Sequence, residues 1–338
     1  RLGYLPPKYS QNASRAWQGI LAHFVQTGPD GSITITGTVK GIGLSDTLSR
    51  DGSYSFYVHS PVVSNDPKGV GAFLLAATEM EIAPQTTLAH KTVMVDAWFN
   101  SQQRLNAAGQ EEYFHYKWTD YSNSGISLLG HIFKSHGAKL AMLTQPPTLA
   151  RLRNAQVYFI VSPDIPKWNP HPHYVQPNDA QQIAEWVEKG GTLILMENDP
   201  ANADFAHFNR IADQFGIHFD SVLNHHVIDP LFGPGFIPVS GAGPIFHHPH
   251  TIYMKDTCGI SVKAPATALL KDKDGIVIAA AKYGKGSVVA VIDPWLYNEY
   301  TDHRKTKPAQ QNFAAGEEFA TWLLDQTPNN HSTTQRSK

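Results

Sequence analysis

Apolar residues recur at two different periods along this chain, and the change of period divides it. From Lys8 to Gln26, the residues Trp17, Ile20, Leu21, Phe24 and Val25 return at helical spacing, and Gly28-Pro-Asp-Gly31 stops the helix. Pro6 and Pro7 fit only the start of that helix, because proline has no amide hydrogen to donate further in. Ser32 to Lys40 alternates, with Ile33, Ile35 and Val39 against Thr34, Thr36 and Thr38, which predicts a pair of strands. Asp66-Pro67 predicts the cap of a second helix running from Lys68 to about Glu81. Two helices and an excursion cannot bury their own apolar faces. This region is expected to expose hydrophobic surface or to pack on a partner.

The turn-rich stretch Ala83-Pro-Gln-Thr-Thr87 marks a break, after which strand and helix patterns alternate. Thr92 to Trp98 predicts a strand, and Ser124 to His136 a helix ended by Gly137. Val157 to Ser162 and Thr192 to Met196 are short, continuously apolar runs of the kind buried in a parallel sheet. Between them, Asn178 or Asp179 caps a helix that runs to Lys189 and ends at Gly190-Gly191. Phe205 to Phe215 is a helix with Gly216 at its C-cap. Ile276 to Lys282 and Ser287 to Ile292 are strands joined by the hairpin turn Tyr283-Gly-Lys-Gly286, and Gly316 to Leu324 is the last helix. Alternation of this type predicts an α/β fold with a doubly wound, mostly parallel sheet. The expected layout is a helical domain at 1–85, a linker at 86–90, an α/β domain at 91–326 and a disordered tail at 327–338.

Composition narrows the classes of function. The chain has 338 residues, a formal net charge of -2 and no basic block, so a nucleic-acid partner is not expected. No apolar run is long enough to span a bilayer, so no membrane partner is expected either. A single cysteine, Cys258, excludes an internal disulfide framework and a multi-cysteine metal site. A start at Arg1, without an initiator Met or a signal-peptide pattern, fits a cut fragment, a processed product or a trimmed chain.

Ligands of open α/β sheets bind beyond the carboxyl ends of the strands. The segments there are rich in carboxylates, amides and large aromatic rings: Trp118, Asp120 and Asn123; Asp164; Asn198 and Asp199; then Asp293, Trp295, Tyr297, Glu299 and His303. Acids that bind hydroxyls and rings that stack on C–H faces suit an oligosaccharide. Asp and Asn at such positions equally serve to cap helices and tie loops together. Were this crevice catalytic, Asp293, Glu299 and His303 would be the candidate acid and base groups.

Four stretches of the first 85 residues carry a resemblance. They are Arg1-Leu-Gly-Tyr-Leu-Pro-Pro-Lys-Tyr9, Ala16-Trp-Gln-Gly-Ile20, Arg50-Asp-Gly-Ser-Tyr-Ser-Phe-Tyr57 and Asn65-Asp-Pro-Lys-Gly-Val-Gly-Ala-Phe-Leu-Leu-Ala-Ala77. Together they resemble the last turns of glycoside hydrolase family 105, the unsaturated rhamnogalacturonyl hydrolases, which are built on a six-hairpin α/α barrel. The remainder resembles the α/β domain, related to class I glutamine amidotransferases, that some bacterial members carry at the C-terminus. The resemblance implies removal of a 4,5-unsaturated uronic acid from oligosaccharides made by polysaccharide lyases, in pectin degradation. An aspartate protonates the enol ether, and the hydrated hemiketal collapses. That aspartate lies in earlier hairpins, and no residue here inherits its role. Arg50, Asp51, Tyr54, Tyr57 and Lys68 would line the barrel rim, a cation facing the substrate carboxylate, or would bridge loops. The partner covering the exposed helical face would be the rest of the barrel or a second copy. The resemblance favours a periplasmic or secreted protein.

Amidotransferase chemistry itself is not expected. It needs a cysteine on a sharp strand-to-helix elbow with a histidine base. Cys258 follows Met-Lys-Asp-Thr, and the elbow position after Val161 reads Ser162-Pro-Asp164, where Pro163 has no N–H for an oxyanion hole. Histidines cluster at His171-Pro-His173, His225-His226 and His247-His-Pro-His250, in separate loops and with no His-Glu-x-x-His helix. No metal and no cofactor is expected.

Overall fold

The computed structural model describes residues 9–41, 52–82, 91–106, 108–305 and 309–327. The chain divides into two compact units, Arg1–Thr86 and Thr87–Lys338.

In the first unit the helices Tyr9–Phe24 and Pro67–Ile82 follow the sequence expectation closely. Trp17 of one stacks on Phe73 of the other with ring centroids 5.2 Å apart. Ile33–Ile35 pairs back on Val25–Thr27, whereas Thr38–Val39 pairs with Val62–Val63, so the alternating stretch serves two small ribbons. A short helix at Tyr54–Val58, capped by the Ser53 hydroxyl, was not signalled by any periodicity. Its five residues are too few for one. Leu74 and Leu75 stay 58% and 75% exposed, and Ile33 and Val62 are exposed as well. Among the described residues of this unit, Ile35 is the one apolar side chain that is buried.

The second unit is a mixed α/β body around a seven-stranded sheet. Its strands are β1 (Thr92–Asp96), β2 (Lys139–Leu143), β3 (Val157–Val161), β4 (Thr192–Met196), β5 (Thr267–Lys271), β6 (Ile276–Tyr283) and β7 (Gly286–Val291). The order across the sheet is β5-β6-β7-β4-β3-β1-β2. The run from β7 to β2 is parallel throughout, and β6 and β5 extend it antiparallel at one edge. Every residue of β3, β4 and β7 is buried, which is why these strands read as continuous apolar runs. β6 and β7 meet at Gly284, whose φ of +56° admits the tight hairpin.

The helices are α1 (Ser127–Ser135), α2 (Leu149–Leu152), α3 (Pro177–Glu188), α4 (Phe205–Ala212), α5 (Asn298–Thr301) and α6 (Asn312–Gln326). They gather into two groups, α1 with α5 and α6, and α2 with α3 and α4. The cap of α3 differs from the expectation: Gln176 is the N-cap, and Asp179 reaches back to its backbone N–H at 2.9 Å. Proline at the first helical position shifts the start by two residues. Between α4 and β5 lies an insertion with no strong periodic signal. In it, Ile217–Asn224 pairs with Thr257–Val262, and Phe236–Val239 with His250–Tyr253, all antiparallel. Among the described residues no helix is long and apolar enough to cross a membrane. The expected linker at 86–90 and most of the tail lie outside the described residues.

Candidate functional site

The carboxyl ends of β1, β3, β4 and β7 hold two polar clusters of opposite character. The first is fully satisfied. Asp96, at the end of β1, accepts the amides of Phe99 and Asn100 at 2.8 and 2.9 Å and the Tyr158 hydroxyl at 2.8 Å. Asn100 donates to Ser162 O and accepts Lys117 Nζ, each at 2.8 Å. Asp164 accepts Ser101 N at 2.8 Å, Gln102 Nε2 at 2.7 Å and Asn169 Nδ2 at 2.8 Å. Asp120 accepts His115 N, Ser122 N and Arg104 Nη2 within 3.0 Å. Burial pushes Asp96 up to about 6 and Lys117 down to about 8. Burial, helped by Lys117, pushes His115 down to about 4. These groups organise the loops. Both oxygens of Asp120 and of Asp164 are engaged by neighbouring groups.

The second cluster is unsatisfied. Glu197, just beyond β4, is fully buried; its Oε1 accepts Asn198 N at 2.9 Å, while Oε2 has no partner among the described residues. Asp293, beyond β7, is 1% exposed, and neither of its oxygens has a hydrogen-bond partner among those residues. Burial, then the negative charges of Asp199 and Asp256, holds Asp293 well above the usual carboxylate range. Burial likewise raises Glu197, opposed by its bonds to Asn198 and Ser162. Four tyrosines, Tyr116, Tyr253, Tyr297 and Tyr300, lie in the field of Asp293. Their rings form a chain, Tyr116 to Tyr297 at 6.0 Å, Tyr297 to Tyr300 at 4.7 Å and Tyr300 to Tyr253 at 4.8 Å. Asn198 Nδ2 donates to the Tyr116 hydroxyl at 3.2 Å, tying the chain to β4. Buried acids without partners are expensive to keep, so their presence at this end of the sheet points to use. Neutral carboxyls and phenols both donate and accept, which suits the hydroxyls of a polyol.

Of the residues singled out in the sequence, Asp293, Asn198, Asp199 and Tyr297 come together here. Glu299 joins through its bond to Tyr300, and burial raises it too. His303 sits in a left-handed turn at φ +64°, its buried Nδ1 unpartnered among the described residues. Asn123 is exposed, and its carbonyl accepts Glu299 N at 3.1 Å. Trp118 and Trp295 are core residues rather than stacking platforms. Trp118 meets Phe133 and Phe159 edge-on and donates Nε1 to Ala141 O at 3.0 Å, and Trp295 is 0% exposed. In the first unit Tyr54 is 84% exposed, Tyr57 is also exposed, and Lys68 donates to Asp66 at 2.6 Å and to Lys40 O at 3.2 Å. Arg50 and Asp51 lie outside the described residues. Tyr253 carried no signal in the sequence, because the insertion that presents it has none, and Tyr300, next to Glu299 in α5, was passed over.

The elbow position also has a definite answer. Ser162 has a φ of +39°, a strained backbone at the end of the central β3. Its neighbour is the Glu197 carboxyl, not an imidazole. Cys258 is 0% exposed, donates to Ile292 O at 3.3 Å and is held far from its thiolate form by burial. Neither side chain is an activated nucleophile.

Residues 1–83 match the sequence pattern of Glycosyl Hydrolase Family 88. Over 85 residues the chain is 36% identical to Protein Atu3128 of Agrobacterium fabrum and to a 24.9 kDa protein in the picA locus of Rhizobium radiobacter, covering 23% of this chain. The chain spans only 36% of the length of these curated relatives. A glycoside hydrolase from family 105 of C. acetobutylicum is 42% identical over 22% of this chain and 21% of its own, with a TM-score of 0.22. The N-terminal domain of mmIFT52 covers 69% of this chain and 97% of its own at a TM-score of 0.50 and 15% identity, a likeness of fold alone. The first 83 residues are thus similar to the glycoside hydrolases of family 88.

Proposed function

We propose that this chain is part of a glycosidase that removes 4,5-unsaturated uronic acid from rhamnogalacturonan-type oligosaccharides released by polysaccharide lyases. The match of residues 1–83 to a glycoside hydrolase family carries this reading. The exposed apolar side chains of the first unit support it, since a closing segment of an α/α barrel leaves such surface for its neighbouring hairpins. The protonating aspartate belongs to those earlier hairpins. The second unit, on this reading, is a doubly wound, amidotransferase-like accessory domain, and the whole acts in the periplasm or outside the cell.

The test follows loss of the ultraviolet absorbance of the 4,5-double bond in an unsaturated rhamnogalacturonan disaccharide. The 338-residue chain alone is expected to leave the signal unchanged. The same chain joined behind the preceding hairpins of a family 88 relative is expected to remove it. A folded, inactive fusion overturns the proposal, and turnover by the chain alone overturns the placement of the acid.

A second reading is favoured by the Asp293 carboxyl and Glu197 Oε2, buried with no hydrogen-bond partner among the described residues. It makes the α/β unit a carbohydrate-binding module, with Asn198, Tyr116, Tyr297 and Asp293 contacting hydroxyls. Retention on an oligosaccharide column without turnover is its signature.

A further inference from the structure

We propose that His225, Asp272 and Asp274 form a binding site for a divalent transition-metal ion, separate from both readings above. His225 ends the strand Ile217–Asn224 and is held in the left-handed region at φ +48°. Asp272 and Asp274 stand in the turn between β5 and β6. One ligand atom from each residue lies within 4.8 Å of the others. Nε2 of His225 is 2.6 Å from Asp272 Oδ2 and 3.6 Å from Asp274 Oδ2.

The donors around the ring single out Nε2. Thr257 Oγ1 lies 2.9 Å from His225 Nδ1, and the Thr257 hydroxyl donates its one hydrogen to Cys258 O at 3.1 Å. It therefore accepts from Nδ1–H, which leaves Nε2 for an ion: before one binds, Nε2–H donates to Asp272 Oδ2 at 2.6 Å, and a metal would take the place of that proton. This is the outer-shell arrangement by which proteins fix a metal-binding imidazole. Thr257 is 0% exposed, so no other group competes for Nδ1. The turn treats Asp272 in the same way. Its Oδ1 accepts Asp274 N at 2.9 Å and Gly275 N at 3.2 Å, which aims Oδ2 at the histidine.

A nitrogen and two carboxylate oxygens suit Zn²⁺ or Mn²⁺ at about 2.0–2.2 Å, and because donors sharing one ion at that distance stand about 3 Å apart, Asp272 Oδ2 has to draw back from its 2.6 Å contact as the ion enters. The His225 and Asp272 side chains are 2% and 9% exposed, while that of Asp274 is 31% exposed, so the ion enters from the Asp274 side. Lys273 is the internal competitor. Its Nζ bonds Asp274 Oδ2, and at 78% exposure it is free to swing away. The alternative account of the same geometry is a buried His–Asp ion pair that binds nothing.

Zn²⁺ and Mn²⁺ alone, titrated into the full chain by calorimetry after chelator treatment, distinguish the two. One ion per chain is expected, with visible absorption when Co²⁺ replaces it. Affinity is expected to fall more than ~10-fold in His225→Gln and Asp272→Asn, and by a smaller factor in Asp274→Asn. Lys273→Ala is expected to tighten binding, and His248→Gln, on another loop, to leave it unchanged. Asp274→Asn and Lys273→Ala alter exposed side chains and keep the test readable if the buried variants fail to fold. Absence of saturable binding, or binding indifferent to Asp272→Asn and Asp274→Asn in folded protein, overturns the site.

Discussion

Lys117 donates its ammonium to Asn100 Oδ1 at 2.8 Å, with 0% and 1% of the two residues exposed. Asp96, Asp164 and Asp120 surround the pair with negative charge, and burial is what lowers the lysine to about 8. Removing one member of a buried charged network leaves the others uncompensated, which costs about 3–5 kcal/mol. Lys117→Met is therefore expected to destabilise the α/β unit by an amount of that order in urea denaturation. A loss below about 1 kcal/mol would place the lysine among surface-like ion pairs instead.

Asp96 gives the same network a pH signature. Burial pushes its carboxyl up to about 6 in the folded protein, against 3.8 for an ordinary aspartate. The unfolded chain then loses its proton first, so this contribution is complete below pH 3.8 and is lost as pH rises to about 6. At ~1.36 kcal/mol for each pH unit, the window is worth about 3 kcal/mol. Asp96→Asn lacks the titration. The stability difference between variant and wild type is expected to move by about 2–3 kcal/mol in the variant's favour from pH 4 to pH 7. Paired denaturation curves at the two pH values would read it directly.

Trp118 separates scaffold from site. Its ring fills the core against Phe133 and Phe159, and truncating a buried tryptophan costs about 3–5 kcal/mol. Trp118→Ala is expected to lower stability by that amount. The milder Trp118→Phe is expected to leave sugar retention unchanged at a temperature where the variant is folded. Loss of retention in that folded variant would return the indole to the binding surface.

The strands were legible because burial on both faces removes alternation: β3 and β4 stand where their apolar runs lie. The first helix of the first unit was legible from the helical spacing of its apolar residues, and the second from its Asp66-Pro67 start. Other parts were not, among them β2 at Lys139–Leu143, the strands of the insertion and the Tyr54–Val58 helix. β5, Thr267–Lys271, is an edge strand with exposed ends, and its composition does not distinguish it from a loop. The role of Trp118 turned on whether the ring faces in or out, which its polar sequence neighbours misrepresent. The acid at position 197 was visible in the sequence, but its missing partner was not. Satisfaction of a buried atom depends on residues from several strands at once, and no local window contains them.

Asp293 carries the last prediction. Its oxygens are buried without hydrogen-bond partners among the described residues, and burial holds its carboxyl well above the usual carboxylate range. The unfolded state ionises first as pH rises past 3.8, so the residue contributes most to stability in acid and costs stability toward neutral pH. A group kept at that cost is kept for another purpose. Asp293→Asn preserves shape and removes the titration, so the variant is expected to gain on the wild type in melting temperature as pH is raised from 4 to 8. If the α/β unit binds oligosaccharide through Asp293, folded Asp293→Leu loses retention on the column, because an aliphatic side chain neither donates nor accepts, whereas the amide of Asp293→Asn does both and keeps it. Retention lost in Asp293→Leu and kept in Asp293→Asn would mark Asp293 as a binding residue. A folded Asp293→Leu that still binds would leave it as an acid of the core and move the sugar site elsewhere.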